Sequence, residues 1–189
     1  MRKLLTLLVP VGLWAALPLK AADFTLDPIH TFATFEIDHF GATTNRGRFD
    51  RKQGSVFFDR IAGVGRVDIT IDVASVSTGT PAFDRQLLGP DLLDAERYPT
   101  ARFVSERFIF QGDRVTSVEG QLTLRGQTRP VSFRALKFNC YNSLVFKRTV
   151  CGGEFDTVID RTDFGIDSLV RFGVARDVRL LVQIEAIQP

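Results

Sequence analysis

Few side chains in this sequence could do chemistry. It holds two histidines, His30 and His39, and two cysteines, Cys140 and Cys151. His30 or His39 with Asp38 could make a general-base arrangement, but only by coincidence of folding. There is no Gly-x-Ser-x-Gly elbow, phosphate-cradling glycine loop or His-Glu-x-x-His helix. We therefore expect no catalytic residue. No Cys-x-x-Cys and no histidine pair at ligand spacing occurs, so no metal site is expected either. In an oxidising compartment the default for Cys140 and Cys151 is a disulfide, which would contribute about 2–3 kcal/mol by closing a small loop.

The N-terminus argues for such a compartment. Arg2 and Lys3 precede an uncharged run from Leu4 to Leu19, and Lys20-Ala21-Ala22 closes it with small residues. That is the plan of a secretory signal peptide, and the run is short for a membrane span. We expect residues 1–21 to be the signal peptide, cleaved after Ala21 for release to the periplasm, and residues 22–189 to be one domain; a retained anchor helix is the alternative. Arg2, Lys3 and Lys20 are three of the 24 basic residues and the segment holds no acid, so 21 bases then face 22 acids. The mature chain offers no electrostatic basis for a nucleic-acid partner.

The elements that must position any site are strands. Val67-Asp68-Ile69-Thr70-Ile71 alternates apolar with polar, as does Val118 to Leu124. Val178 to Ala186 alternates with Arg179, Gln183 and Glu185 on the opposite face, and Phe35 and Ile37 share a face against Glu36 and Asp38. Val131-Phe133-Ala135 and Phe155-Thr157-Ile159 repeat the pattern, although Val158 breaks it. A period of two marks half-buried antiparallel strands. Gln111-Gly112-Asp113 and Arg125-Gly126-Gln127 read as turns, and Tyr141 to Val150 as a hairpin loop stapled by the two cysteines. Pro81 to Leu93 differs: Phe83, Leu87 and Leu88 fall at helical spacing between Pro81 and Gly89-Pro90, predicting one short helical insertion. The fold class expected is all-β, an antiparallel barrel of about eight strands.

Alternation does not say which way the apolar face points. The chain ends Ile187-Gln188-Pro189 without a terminal aromatic, it lacks girdle residues (Tyr 2, Trp 1), and unlike charges crowd its polar faces. These favour an apolar interior. Phenylalanine is in excess, 17 of 189 residues, and it carries no polar tip needing a partner. An eight-stranded interior can be filled by side chains or can hold one small ligand, and composition leaves both open.

Several motifs in order resemble the YceI family of lipocalin-like, polyisoprenoid-binding periplasmic proteins. They are Leu26-Asp27-Pro28-Ile29-His30-Thr31, Phe35-Glu36-Ile37-Asp38-His39-Phe40, Arg46-Gly47-Arg48-Phe49 and Val73-Ala74-Ser75-Val76-Ser77-Thr78-Gly79. Tyr98-Pro99 with Phe103 and Ser105, Gly120 to Val131, and Arg161-Thr162-Asp163-Phe164-Gly165-Ile166 complete the set. The resemblance spans about Phe24 to Ala186. It implies a lipocalin-like barrel whose lumen holds a long-chain isoprenoid amphiphile, a polyprenyl phosphate or an isoprenoid quinone, as ligand and with no cofactor. Transport, storage or sequestration would be the role. An enzyme acting on such a lipid and a dry-core interaction module are the rival classes. Transient membrane contact and a homodimer are compatible with a barrel that has mouths and seams.

For the tail, strand parity selects Phe35, Ile37, Val67, Ile69, Ile71, Phe103, Leu122, Leu124, Phe133 and Ile159, with Phe83, Leu87 and Leu88 covering one end. For the head group the candidates are His30, His39, Arg46, Arg48 and Arg161, since guanidinium forks match phosphate geometry. One departure from the family pattern stands at Gln86, where a histidine is expected; glutamine hydrogen-bonds but does not titrate.

Overall fold

The structure is a computed structural model that describes residues 22–189; the expected signal peptide, residues 1–21, lies outside the described residues. Along the chain come β1 (Ala22–Leu26), β2 (Phe32–His39), β3 (Thr43–Phe49), β4 (Lys52–Asp59), β5 (Val64–Asp72), β6 (Val76–Ser77), α1 (Pro81–Leu88), β7 (Thr100–Gln111), β8 (Arg114–Leu124), β9 (Gln127–Ser143), β10 (Arg148–Asp160) and β11 (Asp177–Ile187). The sheet order β1-β4-β5-β7-β8-β9-β10-β11 closes through an antiparallel β1–β11 pairing, giving the eight-stranded barrel. Closure leaves no free edge in the ring.

Three of the eight positions are kinked strands. β11 pairs with β1 at Ala186↔Leu26 and with β2 from Gln183↔Phe32 to Val178↔Ile37, so β1 and β2 share one position. In the same way β3 continues into β4, and β5 into β6 through a 3-10 turn at Val73–Ser75. The first kink is encoded by Asp27-Pro28-Ile29-His30-Thr31, because Pro28 has no N–H for the ladder. Asp27 Oδ1 accepts from the Ile29 N–H at 2.8 Å. The Thr31 hydroxyl donates to the Glu185 carbonyl at 3.1 Å and accepts from the Glu185 N–H at 3.2 Å, supplying the partners the broken strand withdraws. Buried backbone groups must be paired, so the motif acts as a repair of the kink.

Alternation turns the apolar face inward. One packed cluster takes Phe24, Phe58, Val67, Ile69, Phe133 and Phe155 among others, and a second takes Leu122, Ile159 and Phe164. The outer face carries a charge ladder across five strands. Arg134 pairs with Asp156 at 3.2 Å, Asp156 with Arg179 at 2.9 Å, Arg179 with Glu36 at 3.3 Å and Glu36 with Arg46 at 2.8 Å. Their guanidinium hydrogen bonds hold the Asp156 and Glu36 carboxyls below the usual carboxylate range. This polarity is the reverse of a membrane-spanning barrel, whose lipid-facing side is apolar. Val158, the residue out of pattern, stands exposed on the outer face.

Two boundaries differ from expectation. The Tyr141–Val150 loop shrinks to a turn at 144–147, because β9 runs to Ser143 and β10 resumes at Arg148 in direct register. Cys140 and Cys151 are paired neighbours in that ladder and form the disulfide, with Cα atoms 4.1 Å apart. The helix ends at Leu88 rather than Leu93, since Gly89-Pro90 breaks it and Pro90 has no N–H to continue it. A turn then folds back, with the Leu93 N–H bonded to the Leu87 carbonyl at 2.9 Å.

The barrel thus has two unlike ends. The hairpin end carries the β4–β5, β7–β8 and β9–β10 turns. The cover end carries the β2–β3 and β8–β9 turns, α1 with its following turn, and residues 161–176.

Candidate functional site

A cavity of about 260 Å³ lies along the barrel axis, with walls drawn from all eight strand positions. From the kinked strands come Phe35, Ile37, Val67, Ile69 and Ile71, all selected by parity. Phe103, Leu122, Leu124, Phe133 and Ile159 supply the opposite wall, and Leu87 reaches it from α1. Phe83 and Leu88 do not line it. Phe83 sits one turn earlier on the face of Leu87, and Leu88 is rotated about 100° from it. Leu92 and Leu93, returned by the turn after α1, take their place at the cover end. Gln86 is exposed and off the wall.

β11 contributes Val178, Leu180, Val182, Ile184 and Ala186 to the wall. The alternation of that strand was visible in the sequence, although none of the five was selected. Four of them, Val178 to Ile184, are only half-buried although they point inward, as are Phe35, Ile37 and Phe103. Their apolar surface faces the cavity rather than neighbouring side chains. Glycine makes the wall smooth at two places. Gly47 lies opposite Phe35 and Gly120 lies beside Phe103; a methyl group at either would strike the aromatic ring. The absent side chains let both rings lie flat along the wall.

Polar side chains on the wall are few: Thr31, Thr34, Lys52, Arg102 and Arg161. The Arg102 guanidinium turns out and grips both oxygens of Asp68. Arg161 is buried, and its donors go to the carbonyls of Ala175 at 2.8 Å, Ile166 at 3.2 Å and Ser168 at 2.8 Å. It therefore clamps the 161–176 segment, and no carboxylate lies within ion-pair distance of it among the described residues. Burial pushes its pKa down.

Lys52 is the polar wall residue near one mouth that sequence reasoning missed. Its ammonium donates to the Pro28 carbonyl at 2.8 Å and to the Asp50 carbonyl at 3.4 Å, and it lies 4.8 Å from the centre of the Phe32 ring. Burial lowers its pKa. Nothing in Asp50-Arg51-Lys52-Gln53 distinguishes it from a solvated lysine; it stands opposite Ile71 on the face of β4 that carries Val56 and Phe58, so strand parity turns it inward.

The remaining head-group candidates lie off the wall. Arg46 is paired with Glu36 in the outer ladder. Arg48 pairs with Asp50 at 2.7 Å and stacks on Phe32 from 5.2 Å, which places it near Lys52 but outside the lumen lining. His39 is exposed at the end of β2, its ring 4.8 Å from that of Phe40. His30 is exposed, and its Nδ1 lies 2.8 Å from Asp27 Oδ2, a hydrogen bond that raises the histidine pKa. Asp27, His30 and Glu185 bring three potential metal donors within 4.8 Å of one another. Both Asp27 oxygens are already engaged, by Ile29 and His30, and Glu185 accepts from Tyr141 Oη at 3.0 Å, so this donor set serves the kink.

Comparisons agree with this architecture. A UPF0312 protein of Vibrio cholerae is 28% identical over 188 residues, covering 96% of this chain and 97% of its own. A UPF0312 protein of Pseudomonas putida is 30% identical and covers 77% of each chain. Among solved structures, Burkholderia cenocepacia BcnA superposes with a TM-score of 0.69 at 24% identity, over 85% of this chain and 99% of its own. A polyisoprenoid binding domain from Saccharophagus degradans superposes with a TM-score of 0.62 at 17% identity, over 90% and 100%. At these identities the superpositions speak for the fold. The YceI-like domain profile matches residues 24–186, the stretch from the first wall residue of β1 to the last of β11, and the chain belongs to the YceI-like domain family.

Proposed function

We propose that the barrel is a periplasmic carrier or reservoir for a long-chain isoprenoid amphiphile, released from its signal peptide after Ala21. The observation that carries this reading is the set of inward-pointing but half-buried wall residues, Val178, Leu180, Val182, Ile184, Phe35 and Phe103. A dry core would bury such side chains against one another. Here their apolar surface is left for an apolar occupant, and its removal from water would contribute roughly 25 cal/mol per Å². A polyprenyl tail suits a flexible, featureless wall because it asks for no polar partner along its length. The related domain of Saccharophagus degradans, named for polyisoprenoid binding, supports the same ligand class.

The polar head then sits at Lys52. An ammonium held only by backbone carbonyls, beside the Phe32 ring, suits an acceptor oxygen of a phosphate or a quinone. The wall side chains are overwhelmingly apolar, suited to binding and orienting, and neither histidine lies on the cavity lining. That favours a binding protein over an enzyme.

The test is organic extraction of the protein purified from the periplasm, with mass spectrometry of the extract. A stoichiometric polyprenyl species is expected. Phe103→Ser with Phe133→Ser should abolish its retention in a folded barrel, and Lys52→Met should weaken it. An empty extract from well-folded parent protein would overturn the proposal.

A further inference from the structure

The hairpin end carries apolar side chains that nothing in the fold uses. Leu144 is 93% exposed and Val145 85% exposed at the tip of the β9–β10 turn, with Phe146 beside them. Ile61, 74% exposed, and Val64 stand on the β4–β5 turn. The two turns belong to one surface. A second cavity, of about 320 Å³, is rimmed by Arg60, Ile61, Tyr141, Asn142 and Thr149 and floored by Phe24, Phe58 and Cys151. Those three floor residues also line the lumen. The hairpin end is thus a vestibule, separated from the lumen by Phe58 and the rings it meets, Phe110 at 5.8 Å and Phe138 at 5.3 Å.

The tips are rigid. The 144–147 turn is closed by the Lys147 N–H on the Ser143 carbonyl at 2.8 Å and by the Phe146 N–H on Ser143 Oγ at 3.2 Å. Behind it the Cys140–Cys151 bond locks the hairpin. Asp59 accepts from the Ile61 and Ala62 N–H groups, both at 2.9 Å, and fixes the other tip. Leu144 and Val145 are therefore held out in water by structure.

Beside the 144–145 tip the charge is basic: Lys147 and Arg148 follow it in the chain and form no ion pair among the described residues. On the neighbouring turns Arg60 meets Asp113 at 3.8 Å, and Asp59 is engaged by backbone N–H groups. An apolar tip flanked by unpaired cations matches an interface of acyl chains beneath anionic head groups. The cover end also exposes apolar side chains, Phe40, Leu169 and Phe172, but their neighbours in sequence are of mixed charge, Asp38, Asp163 and Asp167 with Arg171 stacked on Phe172, so the charge argument is made for the hairpin end.

We propose that the hairpin end docks on an anionic lipid bilayer, with Leu144, Val145 and Ile61 inserted among the lipids and Lys147 and Arg148 on the head groups. Docking sets the Phe24–Phe58 floor of the vestibule toward the membrane. The surface stands independently of what the lumen holds; its use as a loading port rests on the carrier reading above.

The test is cosedimentation of residues 22–189, which close the barrel without the leader, with phosphatidylcholine vesicles with and without phosphatidylglycerol. Binding to the anionic vesicles that weakens with salt is expected. Leu144→Ser with Val145→Ser should reduce it by at least about tenfold. Lys147→Gln and Arg148→Gln should each reduce it by about fivefold. Phe40→Ser with Phe172→Ser, at the other end, should bind as the parent does. Absent binding, binding indifferent to Leu144 and Val145, binding lost instead with Phe40 and Phe172, or self-association of the barrel through the 144–145 tip would each overturn the proposal. Because lumen contents are read separately by extraction, failure of docking and failure of the carrier reading are told apart.

Discussion

The two ends of the barrel are built from different materials. At the cover end, long polar side chains grip backbone carbonyls across sequence distance. Arg161 holds Ala175, Ile166 and Ser168, while Arg125 bridges the Gly165 carbonyl to the Pro90 carbonyl and so ties the 161–176 segment to the turn after α1. Asp160 accepts from Thr162 and from Arg176. At the hairpin end the turns are short and local, a disulfide replaces the clamps, and the most exposed side chains are apolar. An irregular cover has many backbone groups without ladder partners, and charged side chains must satisfy them. Two-stranded turns satisfy themselves, so their tips are free to carry residues chosen for a partner.

Breaking the cover should cost most. Arg161→Leu leaves three carbonyls without their donors and should lower the unfolding free energy by about 3–5 kcal/mol in urea titration. Arg171→Leu, an exposed arginine on the same segment, should change it by less than about 0.5 kcal/mol. Equal effects from the two would erase the distinction between clamp and surface charge.

At the hairpin end the largest loss available is the disulfide. Cys140→Ala with Cys151→Ala should cost about 2–3 kcal/mol by the chain-entropy argument, measured the same way. A loss as large as that of Arg161→Leu would mean that the two ends are equally interlocked.

Acid should separate the ends next. The Thr162 hydroxyl, then Arg176 and the Thr162 N–H, hold the Asp160 carboxyl down from 3.8 to about 2. A depressed folded-state pKa contributes stability above the unfolded value and loses it as pH falls toward the folded one. The Asp160 contribution is therefore present above about pH 4 and declines between about 4 and 2. Asp160→Asn should lower Tm at pH 7 and make the fall of Tm across that window shallower. An unchanged acid limb would show that the other depressed carboxylates carry it, Asp156, Glu36 and Asp68 with their arginine partners and Asp27 with His30.

The smallest effect sharpens the contrast. Leu144→Ser with Val145→Ser should move the unfolding free energy by less than about 0.5 kcal/mol, because neither side chain is buried on folding. A larger loss would make the tip part of the core rather than a presented surface.

Sequence by itself determined the parity of the wall. Val67, Ile69, Ile71, Leu122, Leu124 and Phe133 were assigned to the lumen because a strand's side chains alternate as a matter of backbone geometry, whatever it pairs with. The fold class and the turns at Gly112 and Gly126 were legible for the same local reasons, and the bond between Cys140 and Cys151 from their being the only two cysteines of a chain expected in an oxidising compartment. Ring closure and the covers decided the rest. Arg161 reads in sequence as a free guanidinium, and only the fold of 166–175 around it turns its donors onto carbonyls. Lys52 shares the parity of Val56 and Phe58 but reads as a surface lysine until the fold brings Pro28 and Phe32 beside it. Leu92 and Leu93 replace Phe83 and Leu88 because the chain doubles back after Gly89. Each of these depends on contacts between residues distant in sequence or on how a loop folds back, and neither strand nor helix periodicity carries that information.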